Sequence, residues 1–142
     1  IVFVFSAIVA GGLSMTFAVG DGGSVGASGG ISGFLGYLAV YGYLRRKLLS
    51  SAFLKNMLFN IAFMVVVGLS INAAPTGTLR IDNFAHLGGL LAGAFYGLIQ
   101  IPGDVYEDPR EISTRTEIGG LAALGAVISV CGFTIWLLLR SI

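Results

Sequence analysis

The charged residues of this 142-residue chain are gathered into a few short clusters, and that gathering constrains the fold more than any other feature. Between the clusters lie five apolar stretches, at about 1–19, 28–44, 53–74, 84–101 and 118–139. Each is long enough to cross about 30 Å of hydrocarbon as a helix. Within lipid every backbone N–H and C=O must find a partner in the chain itself, which leaves helices as the way to use such runs. Hydrophobic residues make up 56% of the chain and charged ones 11%, against about 25% charged in a soluble domain. The expected fold is therefore all-α: a polytopic transmembrane helical bundle, one membrane domain over 1–142 with the lipid bilayer as its surroundings.

Several functions drop out on composition. Net charge is +1, which gives no electrostatic footprint for nucleic acid. The cluster Gly20-Asp21-Gly22-Gly23-Ser24 reads as a turn, but no Gly-Lys-Ser/Thr follows it and no strand precedes it, so it is not a phosphate loop. A single cysteine, Cys131, rules out an internal disulfide and a cysteine-based zinc site, and reads as a small buried apolar residue. No metal and no cofactor is implied. The chain opens on Ile1 inside an apolar run with no charged residues before it, so this is not a signal peptide, and the expectation is a piece of a longer protein.

Charge also orients the spans. Arg45, Arg46, Lys47, Lys55, Arg110 and Arg115 fall in the loops after spans two and four, while Arg80 and Arg140 fall on the other side. By the positive-inside rule the loops after spans two and four are cytoplasmic, and the residues 101–117 form a solvated connector there. In span one, Ser6, Ala7, Ala10, Gly11, Gly12 and Ser14 sit among Phe, Val and Ile, as expected where another helix approaches closely. Asn56, Asn60 and Asn72 of span three read as hydrogen-bond partners or interface residues. Asp82 or Asn83 caps span four, and Asp82 alternatively orients His86 one turn below. Gly89, Gly93 and Gly97, at i, i+4 and i+8, form a helix-packing stripe.

Two positions carry possible chemistry. Ser28 lies in Gly26-Ala27-Ser28-Gly29 at the start of span two, and His86, the only histidine, lies in Ala85-His86-Leu87-Gly88-Gly89 at the start of span four. From Ser28 to Arg45 is 17 positions and from His86 to Asp104 is 18, roughly 25–27 Å of helix in both cases. The hydroxyl and the imidazole are thus expected at one depth, near the non-cytoplasmic face. Gly93 and Gly97 fall within about 20° of His86 around the helix, so the close-packing face is also the histidine face. Under Ser28 the face is similarly slim, with Ser32, Ala39 and Gly42 and one large residue, Leu35. A serine is a weak nucleophile until a base within about 2.6–3.2 Å takes its proton. Helix starts also offer free N–H groups, so the backbone at Ser28, Gly26 and Gly29 is the expected oxyanion side, with room for a substrate backbone. On residues alone two readings stand: a nucleophile and its base, or a small-residue helix contact beside a lone interfacial histidine.

Those two motifs, with Gly36 and Gly93, resemble the rhomboid family of intramembrane serine proteases. The resemblance covers roughly residues 1–101 as the family's third to sixth helices, with span five as a seventh. It implies Ser28 as nucleophile in Gly-x-Ser-Gly and His86 as general base and acid in Ala-His-x-x-Gly. It also implies transmembrane protein substrates and, as the expected location, a bacterial cell membrane. The alternative it carries is a protease-dead relative that binds and escorts membrane clients. Two features depart from the family pattern. Its first two helices, with a His-x-x-x-Asn motif that helps bind the oxyanion, have no counterpart here, so residues 1–142 alone are expected to be inactive or nearly so. The aromatic residue that some members carry four after the serine is Ser32 here. The connector 75–83 is the expected movable cover above His86, and span three the expected side gate.

Overall fold

The computed structural model describes residues 1–17, 27–74, 80–103 and 114–140. They form five helices: α1 Val2–Phe17, α2 Ser28–Leu44, α3 Ser51–Ala73, α4 Asn83–Gln100 and α5 Thr114–Arg140. No strand occurs among the described residues. The fold is all-α, and each helix coincides with one apolar stretch. The expected single domain over 1–142 meets a chain that divides into two compact units, residues 2–107 and residue 1 with 108–142. The Gly20–Ser24 turn, Gly26, residues 75–79 of the connector and Asp104 lie outside the described residues.

Helices α1, α2 and α4 pack on one another through small side chains. Ser6, Ala10 and Ser14 line the inner face of α1, Gly29, Gly33 and Gly36 that of α2, and Ala85, Gly89, Ala92 and Gly93 that of α4. A Cβ added at Gly89 would overlap the Gly29 carbonyl, and one at Gly93 would overlap the carbonyl of Gly33. The Ser6 hydroxyl fills the notch at Gly33. Among the described residues the buried hydrophobic side chains are Ala10, Ala85, Ala92 and Ile101, whereas Ile8, Met15, Phe59, Phe63, Leu98 and Ile99 are exposed. Apolar surface of that extent belongs against lipid. Lipid tails give no hydrophobic drive between helices, so close backbone approach through small residues has to hold them. The chain is a membrane protein: α3 and α5, at 23 and 27 residues, are long and apolar enough to cross a bilayer. Helices α2 and α4, at 17 and 18 residues, are near the lower end of the usual range of about 17–25.

Helix α3 lies at the edge of this core, against α2 and, more lightly, α4. It starts two residues earlier than the apolar pattern suggests because the Ser50 hydroxyl accepts a hydrogen bond from the Ala52 amide at 3.2 Å. At its other end Asn72 holds Ile81, in the segment before α4, by both backbone groups. Its Nδ2 donates to Ile81 O at 2.7 Å and its Oδ1 accepts from Ile81 N at 2.8 Å. The connector is therefore hydrogen-bonded to α3 at Ile81, five residues before His86. Asn56 and Asn60 are exposed.

Three further expectations need correction. Arg45, placed with Arg46 and Lys47 in the loop after span two, is only 2% exposed. It is the C-cap of α2, where a cation complements the negative end of the helix dipole. Arg46 stays exposed, its guanidinium 4.6 Å from the centre of the Tyr43 ring. The solvated connector gives way to helix from Thr114 onward, so α5 carries Arg115 and Glu117 in its first turns. Cys131, read as buried, is exposed on α5.

Candidate functional site

The site forms where α2 and α4 begin. Ala27, the N-cap of α2, provides no side-chain hydrogen bond, so the first-turn amides of α2 keep their donors for another acceptor. Ser28 is exposed in that turn, and Gly29 beside it is buried against Ala10 and the Ala85 carbonyl, which lies 3.5 Å from where a Cβ would stand. One turn on, Gly89 meets the Gly29 carbonyl. The residues adjacent to Ser28 and His86 thus touch, and the two helix starts lie side by side. Among the described residues no hydrogen bond joins the Ser28 hydroxyl to the His86 ring.

The contact stripe on α2 differs from the one expected under Ser28. It runs through Gly29, Gly33 and Gly36, one residue around the helix, because only glycine lets the two backbones meet. The Ser28 side of α2 turns instead towards α3. Ser32 is buried there, its hydroxyl 2.8 Å from Ser28 O and 3.3 Å from Met64 Sδ. Gly42 lies against Phe53 and Leu54 of α3.

His86 lines a cleft of about 180 Å³ between α3 and α4, together with Met64, Leu69, Asn83, Leu87 and Leu90. The walls are almost wholly apolar, and the His86 Nδ1 atom is buried with no hydrogen-bond partner. Asp82 does not bond the ring. It caps α4, its Oδ1 accepting from Ala85 N at 2.8 Å and its Oδ2 from the Ser14 hydroxyl. Of the two uses open to Asp82, the structure takes capping. Gly97, the third member of the α4 stripe, lies against Tyr37 and Val40. Among the described residues no three His, Cys, Asp or Glu side chains come together as a metal site requires.

Sequence reasoning placed Ser14 on a span that another helix approaches closely, although nothing in the sequence names Asp82 as its partner. It passed over Met64. Met64 carried no signal, being one apolar residue among many on α3.

A family model described as Rhomboid domain matches residues 1–103, which takes in α1 to α4. RHOMBOID-like protein 5 of Arabidopsis thaliana is 33% identical over 103 residues, which are 69% of this chain and 30% of that relative. The chain therefore matches less than a third of the relative's length. No solved structure matches it. With a plant protein as the relative, the expectation of a bacterial cell membrane finds no support.

Proposed function

The chain belongs to the rhomboid family, and from that premise we propose that it is the catalytic part of an intramembrane serine endopeptidase whose substrates are transmembrane segments of other proteins. Ser28 Oγ attacks the scissile carbonyl carbon while His86 takes its proton. The tetrahedral oxyanion accepts hydrogen bonds from free first-turn amides of α2, at Ser28 and Gly29, with Gly26 preceding them. On collapse the C–N bond breaks, His86 hands the proton to the leaving amine, and water hydrolyses the acyl-serine by the same path reversed. The observation that supports this reading is the contact between the first turns of α2 and α4, which puts the one histidine of the chain and a helix-start serine at one depth.

The missing Ser28–His86 hydrogen bond favours the second reading, a protease-dead relative that binds and escorts membrane clients. A base of this kind often tightens onto its nucleophile only when substrate is bound, so the endopeptidase reading is preferred. The deciding experiment treats full-length protein with a serine-directed fluorophosphonate and locates the adduct by mass spectrometry. One adduct on the peptide bearing Ser28 is expected. Folded protein that takes up no reagent would establish the escort reading.

A cut position follows as well. A substrate helix must offer an extended carbonyl, and unwinding backbone in lipid costs several kcal/mol for each unsatisfied group. Ser28 and His86 open their helices at the end away from Arg46 and Lys47, where water is close. Cleavage is expected near the non-cytoplasmic end of substrate spans, at small or helix-breaking residues. Product termini found mainly at the cytoplasmic end would contradict the orientation.

A further inference from the structure

We propose that Asp82 and Ser14 together form the positioning device for His86, with α1 acting as the jig that holds the histidine helix in register with the serine helix. The proposal rests on the reading of His86 as the base. Asp82 grips the first turn of α4 at two places: its Oδ1 accepts from Ala85 N at 2.8 Å and its carbonyl oxygen accepts from His86 N at 3.1 Å. The amides so held are that of His86 and that of the residue before it. Any shift of Asp82 therefore passes directly to the Cα of His86.

The second carboxylate oxygen is tied to α1 through the Ser14 hydroxyl. Ser14 is 6% exposed and lies one turn beyond Ala10 on the buried face of α1. Ala10 touches both helices that matter: its Cβ meets Gly29, next to Ser28, and its Cα is 3.1 Å from where a Cβ on Gly88 would stand. A single stripe of α1 thus fixes the start of α2 at Ala10 and the start of α4 at Ala10 and Ser14. A base in a serine hydrolase needs its ring aimed to a fraction of an ångström, and the usual means is an acceptor on the second ring nitrogen. Here the Nδ1 atom has no such partner. The backbone of the first turn of α4 is then a lever on the ring, and Asp82 with Ser14 holds that lever.

Three variants separate the parts. Ser14→Ala removes the tie and leaves the cap. Asp82→Ala removes both. Asp82→Asn keeps both, since its oxygen still accepts from Ala85 N and its amide donates to the Ser14 hydroxyl in reverse. In full-length protein Ser14→Ala is expected to lower kcat and the rate of fluorophosphonate labelling about 10- to 100-fold, the size of effect that about 1 Å of misplacement produces. KM is expected to stay within about twofold, because neither residue is proposed to touch substrate. Asp82→Ala is expected to be slower still, and Asp82→Asn to recover most of the wild-type rate. A lowered melting temperature with an unchanged labelling rate in Ser14→Ala would overturn the proposal, as would an Asp82→Asn variant as slow as Asp82→Ala.

A second measurement works without activity. In full-length protein the nitrogen-15 imidazole signals of His86 are the ones that disappear in His86→Asn. Ser14→Ala is expected to move those resonances and Asp82→Asn to leave them near the wild-type positions. Resonances unmoved by Ser14→Ala would overturn the positioning role, whether or not the protein cleaves anything. Wild-type protein that takes no label while Ser14→Ala still moves the ring signals would overturn the endopeptidase reading and leave the tie standing.

Discussion

His86→Asn is expected to slow both serine labelling and peptide cleavage by about 10²–10⁴-fold, the range that a positioned general acid–base contributes. His86 is the only histidine of the 142 residues, and none of the carboxylates seen in the described residues reaches its place between α3 and α4. The fold is expected to survive the change. The Nδ1 atom makes no hydrogen bond that could be lost, and asparagine is small enough to sit in the cleft the imidazole now lines. Thermal unfolding in detergent is thus expected to stay close to wild type while the rate collapses. Groups that act as a unit are strongly non-additive, so Ser28→Ala combined with His86→Asn is expected to be no slower than Ser28→Ala alone. A His86→Asn protein that cleaves within about threefold of the wild-type rate would show that another group takes the proton.

Much of the architecture was written in the apolar runs, because a helix that crosses lipid has to be apolar along most of its length and can end only where charge or turn residues gather. That is why α2, Ser28–Leu44, begins and ends where the run does. The α4 glycine stripe was legible for a related reason: three glycines spaced by four fall on one side of a helix, where a backbone approaches at Gly89 and Gly93 and side chains do at Gly97. Tertiary partners were not legible. The α2 stripe was sought under Ser28, yet Gly29 and Gly33 won the contact, since periodicity gives several slim faces to a helix so rich in glycine and cannot rank them. Arg45 shows the same limit. Its charge argues for water, but the position at the helix C-terminus and the packing of α2 bury it. The candidate dyad was visible as two motifs, whereas the Ser14–Asp82 tie spans 68 positions and has no local signature.

The α2–α4 seam makes the second large prediction, a gradient along glycines of similar sequence context. A Cβ at Gly93 would fall inside the carbonyl of Gly33 and crowd its Cα at 2.7 Å, and both are helix backbone with no rotamer to relieve the overlap. Gly93→Ala must therefore push α2 and α4 apart, at a cost of about 1–3 kcal/mol for overpacking. The displacement also separates Ser28 from His86, and about 1 Å there is expected to cost a further 10²-fold in rate. At Gly97 the nearest atoms are Tyr37 Cδ2 and Val40 Cβ, each 3.3 Å away. The Tyr37 ring can swing aside, and a backbone shift of a few tenths of an ångström relieves the contact with Val40 Cβ, so Gly97→Ala is expected to keep most of its activity. At Gly11 on α1 a Cβ would meet nothing within 4 Å. There Gly11→Ala is expected to be neutral or to stabilise by roughly 0.5–1 kcal/mol through helix propensity. Denaturation midpoints and labelling rates for the three variants should fall in the order Gly11, Gly97, Gly93. Equal behaviour of Gly93→Ala and Gly97→Ala would mean that the two helix starts are not held by backbone contact, and the shared depth of Ser28 and His86 would lose its physical cause.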